Sequence, residues 1–119
     1  MANPVGWFEV VGKDGAALRS FYGSLFDWQI APSGGEMDYG LVQAANGGIS
    51  GGIGASGDGS PGHVTFYVEV DDPAAYLAKA EELGGSAVMP PTEIPGFNLT
   101  IAMVADPEGH VVGLMKGSA

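Results

Sequence analysis

The sequence contains no cysteine, which excludes disulfide bonds and thiolate metal sites as sources of stability. Basic residues are scarce as well, since 4 Lys and Arg stand against 14 Asp and Glu and give a formal net charge of −10. Because Lys and Arg make most contacts to nucleic-acid phosphates, we expect no nucleic-acid partner. No apolar run approaches the roughly 20 residues of a membrane span, and residues 1–4 lack the basic segment and apolar core of a signal peptide. We therefore expect a cytoplasmic protein that does not bind membranes.

Apolar residues are frequent enough for a core, although glycine is unusually abundant. Hydrophobic residues make up 45% of the 119 residues, a length typical of one domain, which we assign to residues 1–119. Many of the 21 glycines lie between Gly34 and Gly62, where Ile49 and Ile53 interrupt them. We therefore predict tight turns and one short linker in this region.

The hydrophobic pattern predicts one series of elements twice. Helices begin at the N-caps Asp14 and Asp72, and Gly84 ends the second helix. Strands are predicted at residues 5–11, 28–30, 37–43, 48–54, 63–70, 86–89, 97–104 and 110–116. A shift of 58 residues aligns Phe8 with Phe66 and the two N-caps with each other. The sequence therefore predicts two βαβββ modules in tandem, with module one at about 4–55, a linker at about 56–62 and module two at about 63–117.

The opening strand of each module has one apolar face, which we expect to pack under a helix. These faces hold Phe8 and Val10 in the first module, and Val64, Phe66, Val68 and Val70 in the second. The opposite, mixed faces should meet water or a ligand, and they hold Trp7, Glu9, His63, Thr65, Tyr67 and Glu69. On the fourth strand Gly52 shares a face with other glycines, and on the last strand Gly113 lies between Val111 and Met115. These glycines either leave volume for a guest, allow the close approach of a backbone, or serve turns and edges.

Four stretches in this order resemble the vicinal oxygen chelate superfamily, which includes glyoxalase I, bleomycin-resistance proteins and dioxygenases. They are FYGSLFDW (21–28), VEVDDPAAYLAKAEELGG (68–85), PPTEIPG (90–96) and ADPEGHVVGLMK (105–116). The resemblance covers nearly the whole chain. It implies an α+β fold in which two βαβββ modules form a cupped mixed sheet around a cleft.

The resemblance also implies where a metal would be held. Enzymes of this superfamily typically bind a divalent metal with four residues, often His and Glu, from the first and last strands of each module. Matched by position, these sites fall at Trp7, near Gly52, at Thr65 and at Gly113. Trp and Gly supply no ligating side-chain atom, and Thr is a poor ligand. A slip of two residues would bring His63 or Tyr67 into the set, which still gives a single plausible ligand, so we expect no metal and no other cofactor.

Several candidate site residues can be interpreted either as functional or as structural. Glu9, equivalent to Tyr67 under the 58-residue shift, is either a general base or an ordinary polar residue. Trp7 is either a stacking platform for a planar ligand or a core residue. Met103 belongs either to an aromatic and apolar pocket or to the core, and the same alternatives hold for Trp28, Tyr39 and Phe97.

Other motifs are better explained by structure than by chemistry. His63 and His110, the two histidines, have no acidic cluster nearby in the sequence and are expected to be structural. Residues 52–57 match G-x-G-x-x-G, but the turn-rich residues that follow cannot open the helix that a dinucleotide site requires. Asp106 and Glu108 belong to an Asp-Pro-Glu-Gly sequence that is typical of a type I turn.

We therefore expect a metal-independent protein, and the resemblance to bleomycin-resistance proteins implies a homodimer that binds a small organic ligand stoichiometrically. The predicted ligand-binding residues are Trp7, Glu9, Gly52, Thr65, Tyr67, Met103 and Gly113. The acidic chain favours a neutral or cationic guest. The alternative is a glyoxalase-like lyase or isomerase, or a dioxygenase-related enzyme, that uses Glu9 as base or a divalent metal; a structural protein with a filled cleft is a third. The identity of the ligand, and whether modules pair within or between chains, are left open.

Overall fold

The computed structural model describes residues 2–33 and 38–117. These residues form an α+β fold, and the chain divides into two compact units. The first unit is Trp7–Thr65, and the second comprises the chain up to Gly6 together with the chain from Phe66 onward. The elements in order are β1 (Val5–Gly12), α1 (Gly15–Phe26), β2 (Ile30–Pro32), β3 (Tyr39–Val42), β4 (Gly51–Ala55), β5 (His63–Glu69), α2 (Pro73–Glu82), β6 (Ser86–Ile94), β7 (Leu99–Ala105) and β8 (Val111–Gly117).

The first unit places α1 on a sheet with the strand order β2-β3-β4-β1. β3 runs antiparallel to β2 and β4, whereas β4 runs parallel to β1. Helix α1 begins where the Asp14 carboxylate accepts a hydrogen bond from the Ala17 backbone N–H at 3.0 Å, and it ends at Asp27 in the left-handed region with φ of 58°. The core between helix and sheet contains Val10, Val42 and Ile53, with Phe8, Leu18, Tyr22, Trp28 and Ile30 packed against them.

The second unit repeats this arrangement with α2 and the strand order β6-β7-β8-β5. β8 runs parallel to β5 and antiparallel to β7. Helix α2 begins at the predicted cap, since the Asp72 carboxylate accepts from the Ala75 N–H at 3.3 Å, and Gly84 follows the helix with φ of +100°. The core contains Val70, Leu77, Ala102 and Leu114. The predicted repetition of the strand and helix series is therefore confirmed.

Several strand boundaries differ from the prediction. β2 begins at Ile30 rather than at 28, and β4 begins at Gly51 rather than at 48. Met37, where the third strand was predicted to begin, lies outside the described residues. β6 continues to Ile94, past the predicted end at 89, with register irregularities where Pro90 and Pro91 lie. Proline is tolerated here because β6 is at the end of its strand order and pairs with β7 alone in the second unit.

The prediction for the faces of β5 is partly wrong. Val68 and Val70 pack in the core of the second unit as expected. Val64 and Phe66, however, are 75% and 42% exposed. The reason is that α2 packs on β6, β7 and β8, so it does not cover the beginning of β5. Neither helix in the described part of the chain combines the length and apolar character needed to cross a membrane.

Candidate functional site

Four side chains of the first unit form a continuous chain of hydrogen bonds. The Trp7 indole Nε1 donates to the Tyr39 hydroxyl at 3.1 Å, and that hydroxyl donates to Glu9 Oε2 at 2.7 Å. The other carboxylate oxygen of Glu9, Oε1, lies 2.7 Å from Nε2 of His63. β1 places Trp7 and Glu9 on one face because side chains alternate along a strand. Trp7, Tyr39, Glu9 and His63 are called the Glu9 network below.

The Glu9 carboxylate is held from both sides within this network. When this carboxylate is ionised it only accepts hydrogen bonds, and Nε2 of His63 then carries the hydrogen between them. The side chain of Glu9 is 14% exposed and that of His63 is 40% exposed. Glu9 is therefore a fixed, largely buried carboxylate, and His63 is its neighbour on the solvent side.

The side chain of Tyr39 reaches Glu9 by lying across Gly52, which has no side chain in the way. Gly52 on β4 lies beside Glu9 of β1 and beside Leu41 of β3. A Cβ added at Gly52 would lie 1.8 Å from the Tyr39 hydroxyl oxygen and 2.0 Å from the ring atom that carries it. The Tyr39 ring therefore rests directly on the backbone of Gly52, and only glycine permits this contact.

The second unit contains a contact of the same kind. A Cβ added at Gly113 would lie 2.2 Å from Cδ2 of Tyr67. A side-chain ring, which was not among the predicted options, therefore lies on each glycine, and the interpretation that Gly52 and Gly113 leave volume for a guest is corrected. The volume is occupied by the rings of Tyr39 and Tyr67.

A cavity of about 450 Å³ lies beside the Glu9 network in the first unit. Its lining residues are Trp7, Gln29, Ile30, Ala31, Leu41, Val42, Gln43 and Ser50. Glu9 and His63 are not among the lining residues. Trp7 belongs to both features, so it connects the cavity to the carboxylate through Tyr39.

The predicted ligand-binding residues fall into two groups, one in each unit. Trp7 and Glu9 belong to the network of the first unit, Gly52 underlies Tyr39, and Thr65 is 8% exposed. In the second unit, Gly113 lies beside Tyr67 of β5 and Met103 of β7; Tyr67 is 6% and Met103 8% exposed. That all seven belong to one ligand site remains a prediction.

Some contributors to the site were missed or undervalued by sequence reasoning. His63 was expected to be structural, whereas its partner is Glu9, 54 residues away. The signal available was that His63 lies on the mixed face of its strand, as Glu9 does. Gln29 and Gln43, which flank β2 and β3, belong to no motif, and Ser50 was predicted only to share a face with Gly52. Trp28 packs with Phe8 at a centroid distance of 5.3 Å, so it is a core residue.

The turn at residues 106–109 is structural, as predicted. The Gly109 N–H donates to the Asp106 carbonyl oxygen at 2.9 Å, and Asp106 Oδ1 accepts from the backbone N–H groups of Glu108 and His110 at 2.9 and 3.0 Å. The bond from the His110 backbone, with smaller contributions from the His110 side chain and the Glu108 N–H, lowers the pKa of Asp106 below its ordinary value of 3.8. The G-x-G-x-x-G match is also explained, since β4 and a loop that leads to β5 contain it.

The donor atoms do not fit the divalent metal that the family resemblance implies. The matched positions hold Trp7, Gly52, Thr65 and Gly113, of which only Thr65 carries a ligating atom. Across residues 2–33 and 38–117 no group of three or more His, Cys, Asp or Glu side chains could hold a metal ion. Glu9 and His63 are thus two potential ligands without a third such side chain in the described residues.

Comparison with known proteins supports the fold and the family. The family model of the glyoxalase-like domain matches residues 9–115. The anthracycline biosynthesis protein DnrV of Streptomyces peucetius is 31% identical over an alignment that covers 94% of this chain and 48% of that protein. The chain spans about 30% to 48% of the length of the curated relatives that it matches.

Solved structures with the same fold include two from bacteria. A glyoxalase/bleomycin resistance protein/dioxygenase superfamily member from Vibrio splendidus has a TM-score of 0.66 at 14% identity, with 97% of this chain and 99% of that chain covered. Methylmalonyl-CoA epimerase from Mycobacterium tuberculosis has a TM-score of 0.70 at 11% identity, with 97% and 88% covered. At these identities the likeness concerns the fold alone.

Proposed function

The chain belongs to the glyoxalase-like family of the vicinal oxygen chelate superfamily, and from that premise we propose that it binds a small organic molecule without a divalent metal. The binding surface is the face of the first unit where Trp7 lines the cavity and the Glu9 network lies beside it. The ligand-binding role predicted for Thr65 of the first unit belongs to the same proposal, and a separate ligand-binding role is proposed for Tyr67, Met103 and Gly113 of the second unit.

The observation that carries this proposal is the Glu9 network itself. Trp7 is fixed through its indole N–H, and Glu9 is fixed through both carboxylate oxygens. Polar groups that are ordered before a ligand arrives lose less conformational freedom on binding. An aromatic ring and a buried carboxylate held in this way, next to a cavity of about 450 Å³, have the properties of a preorganised small-molecule site.

Similar proteins are named for work on small organic molecules. One is named for anthracycline biosynthesis and one for the epimerisation of methylmalonyl-CoA. We extend only the class of ligand to this chain, and the net charge of −10 favours an uncharged or cationic molecule over an anionic one. The family resemblance further supports a cytoplasmic homodimer in which residues 1–119 form one domain of two modules.

A thermal-shift screen in the presence of EDTA tests this function. We expect at least one small organic compound to raise the melting temperature saturably in EDTA, and to lose most of that effect in Trp7→Leu. Phe21→Leu is the matched control, because Phe21 is an exposed aromatic residue of α1 outside the cavity lining. Stoichiometric, tightly held metal in elemental analysis, or hits that disappear in EDTA, would contradict the proposal.

The contact between Glu9 and His63 favours a second candidate, metal-free proton transfer. A histidine that is 40% exposed and held 2.7 Å from a largely buried carboxylate has the arrangement of an oriented acid–base group. His63 would exchange a proton with the substrate, and Glu9 would orient the ring.

Deuterium incorporation tests this candidate. The protein is incubated in D₂O with each carbonyl compound that the thermal-shift screen identifies, and exchange at the carbon next to the carbonyl is followed by NMR. His63→Ala should abolish exchange, whereas His110→Ala should preserve it, because His110 contacts Asp106 on an exposed turn. Exchange that survives in His63→Ala, or is absent from the wild type with every compound that binds, rejects this role.

A further inference from the structure

We infer that the cavity beside Trp7 recognises a flat, uncharged ring system that carries a carbonyl next to an N–H on one edge, as a lactam does. This inference rests on the proposed function and names the ligand class of the same surface. It depends on Gln29 and Gln43, to which the sequence assigned no role, and on Ser50, which the alternation of the fourth strand places on the same face as Gly52.

The strand register places four lining residues in one row across the sheet. Phe8 of β1 pairs with Gly51 of β4, and the Phe8 N–H donates to the Ser50 carbonyl, so Trp7 and Ser50 are the next pair. Gly51 also pairs with Val42 of β3, which puts Gln43 beside Ser50.

The row then continues onto the segment before β2. The Gln43 N–H donates to the Gln29 carbonyl at 3.0 Å, one residue beyond the Ile30–Val42 pair. Trp7, Ser50, Gln43 and Gln29 are called the polar row below. With neighbouring strands about 4.8 Å apart, the three intervals of the row span roughly 14 Å. A fused-ring molecule fits along this length.

The chemistry of the lining selects an uncharged ligand. Each glutamine amide offers a donor beside an acceptor, and the Ser50 hydroxyl offers both. The next row contributes the apolar Ala31 and Leu41. None of the lining residues in the described part of the chain is charged. An anionic group placed here would lose hydration without gaining an opposite charge.

The hydrogen bonds already made by side chains of the polar row narrow the class of ligand further. The Trp7 N–H is already used by Tyr39, so the indole offers its flat surface and not a donor. Both glutamines lie exposed at the rim of the cavity. Within the described residues, no side chain or backbone group hydrogen-bonds the side-chain amides of Gln29 and Gln43. A ring that stacks on Trp7 and presents an acceptor beside a donor meets the complementary pair of a glutamine amide.

Side-chain NMR provides a direct test, because Gln29 and Gln43 are the two glutamines of the 119-residue sequence. With ¹⁵N-glutamine labelling, the NH₂ signals of these residues are followed during titration with three flat probes. The probes are 2-quinolinone, which has the lactam edge; quinoline, which has no N–H; and quinoline-2-carboxylate, which is anionic. We expect saturable shifts with 2-quinolinone, affinity weaker by about three- to tenfold with quinoline, and no binding of the carboxylate.

Substitutions of the two glutamines test whether the chemical-shift changes arise from binding at the polar row. At least one of Gln43→Leu and Gln29→Leu should weaken 2-quinolinone about three- to tenfold and leave the affinity for quinoline unchanged, because one glutamine amide pairs with the lactam edge. Gln43→Glu keeps the shape, adds charge and should weaken 2-quinolinone as well. Equal affinities for the lactam and the carboxylate, or unchanged affinity in both leucine variants, would overturn the inference.

The NMR titration gives different results if only the inferred ligand class is wrong and if the proposed small-molecule binding is itself wrong. If 2-quinolinone causes no saturable shift but another compound shifts backbone signals around Trp7 and Glu9, the ligand class is wrong and small-molecule binding stands. If no compound in the screen shifts any signal of the first unit, both are wrong.

Discussion

Replacing Tyr39 with phenylalanine tests whether the Glu9 network stabilises the fold as its geometry indicates. The substitution keeps the ring on Gly52 but removes the hydroxyl, which donates to Glu9 at 2.7 Å and accepts from Trp7 at 3.1 Å. A hydrogen bond to a charged group contributes about 1.5–3 kcal/mol and one between neutral groups about 1 kcal/mol. Because His63 still holds Glu9, we expect a loss of about 2–3 kcal/mol in the free energy of unfolding.

Urea denaturation of the wild type, Tyr39→Phe, Glu9→Gln and the double variant measures this loss. The double-mutant cycle should give a coupling energy of about 1–2 kcal/mol between the two side chains. At about 4 °C per kcal/mol for a chain of this length, the melting temperature should fall by about 8–12 °C.

Tyr76→Phe is the matched control for Tyr39→Phe. Its hydroxyl makes one exposed hydrogen bond of 3.3 Å to Asn3, so its removal should change the stability by less than about 0.5 kcal/mol. Equal effects of the two tyrosine substitutions, or a coupling energy near zero, would refute the reasoning, because the hydrogen bonds of the Glu9 network would then contribute nothing to stability.

Two further predictions concern stability. Gly52→Ala and Gly113→Ala should each destabilise the protein by about 2 kcal/mol, since the new Cβ would displace Tyr39 or Tyr67. Gly117→Ala is the control and should be nearly neutral in the same urea assay, because nothing lies within 4 Å of a Cβ added there. Equal effects at the three glycines would contradict this prediction. For Asp106, whose pKa the His110 N–H lowers below 3.8, the carboxylate should stabilise the turn above that ordinary value and lose this contribution as the pH falls through the lowered folded value. A carboxyl ¹³C titration should therefore show Asp106 with a midpoint below 3.8, and a midpoint at or above 3.8 would contradict the role of the His110 bond.

The fold and the family were predictable because the signals are local. Asp14 and Asp72 each begin a helix at a residue that can accept a backbone hydrogen bond, and the strands keep their alternation. The exposure of Val64 was not predictable, since it depends on which strands α2 covers. Patterns along one segment contain no information on how far a helix extends across a sheet.

The candidate site was predictable only in part. Trp7 and Glu9 could be identified from their face of β1, but the partners of Glu9 come from positions 30 and 54 residues further along the chain. The polar row could not be predicted from the sequence for a related reason. Its members become neighbours only through the registers of β1 with β4 and of β3 with β2 and β4, which a single sequence does not specify.

The two tyrosine rings that rest on glycines also show how the repeats have diverged. Glu9 beside Gly52 and Tyr67 beside Gly113 are the same register pair in each repeat, between the opening strand and the last strand. In the second repeat, the residue of the opening strand covers its own glycine. In the first repeat that residue is a carboxylate, and Tyr39 from another strand supplies the ring. The first repeat can therefore hold an acid at this register position without leaving a hole beside Gly52, whereas the second repeat has an aromatic residue there.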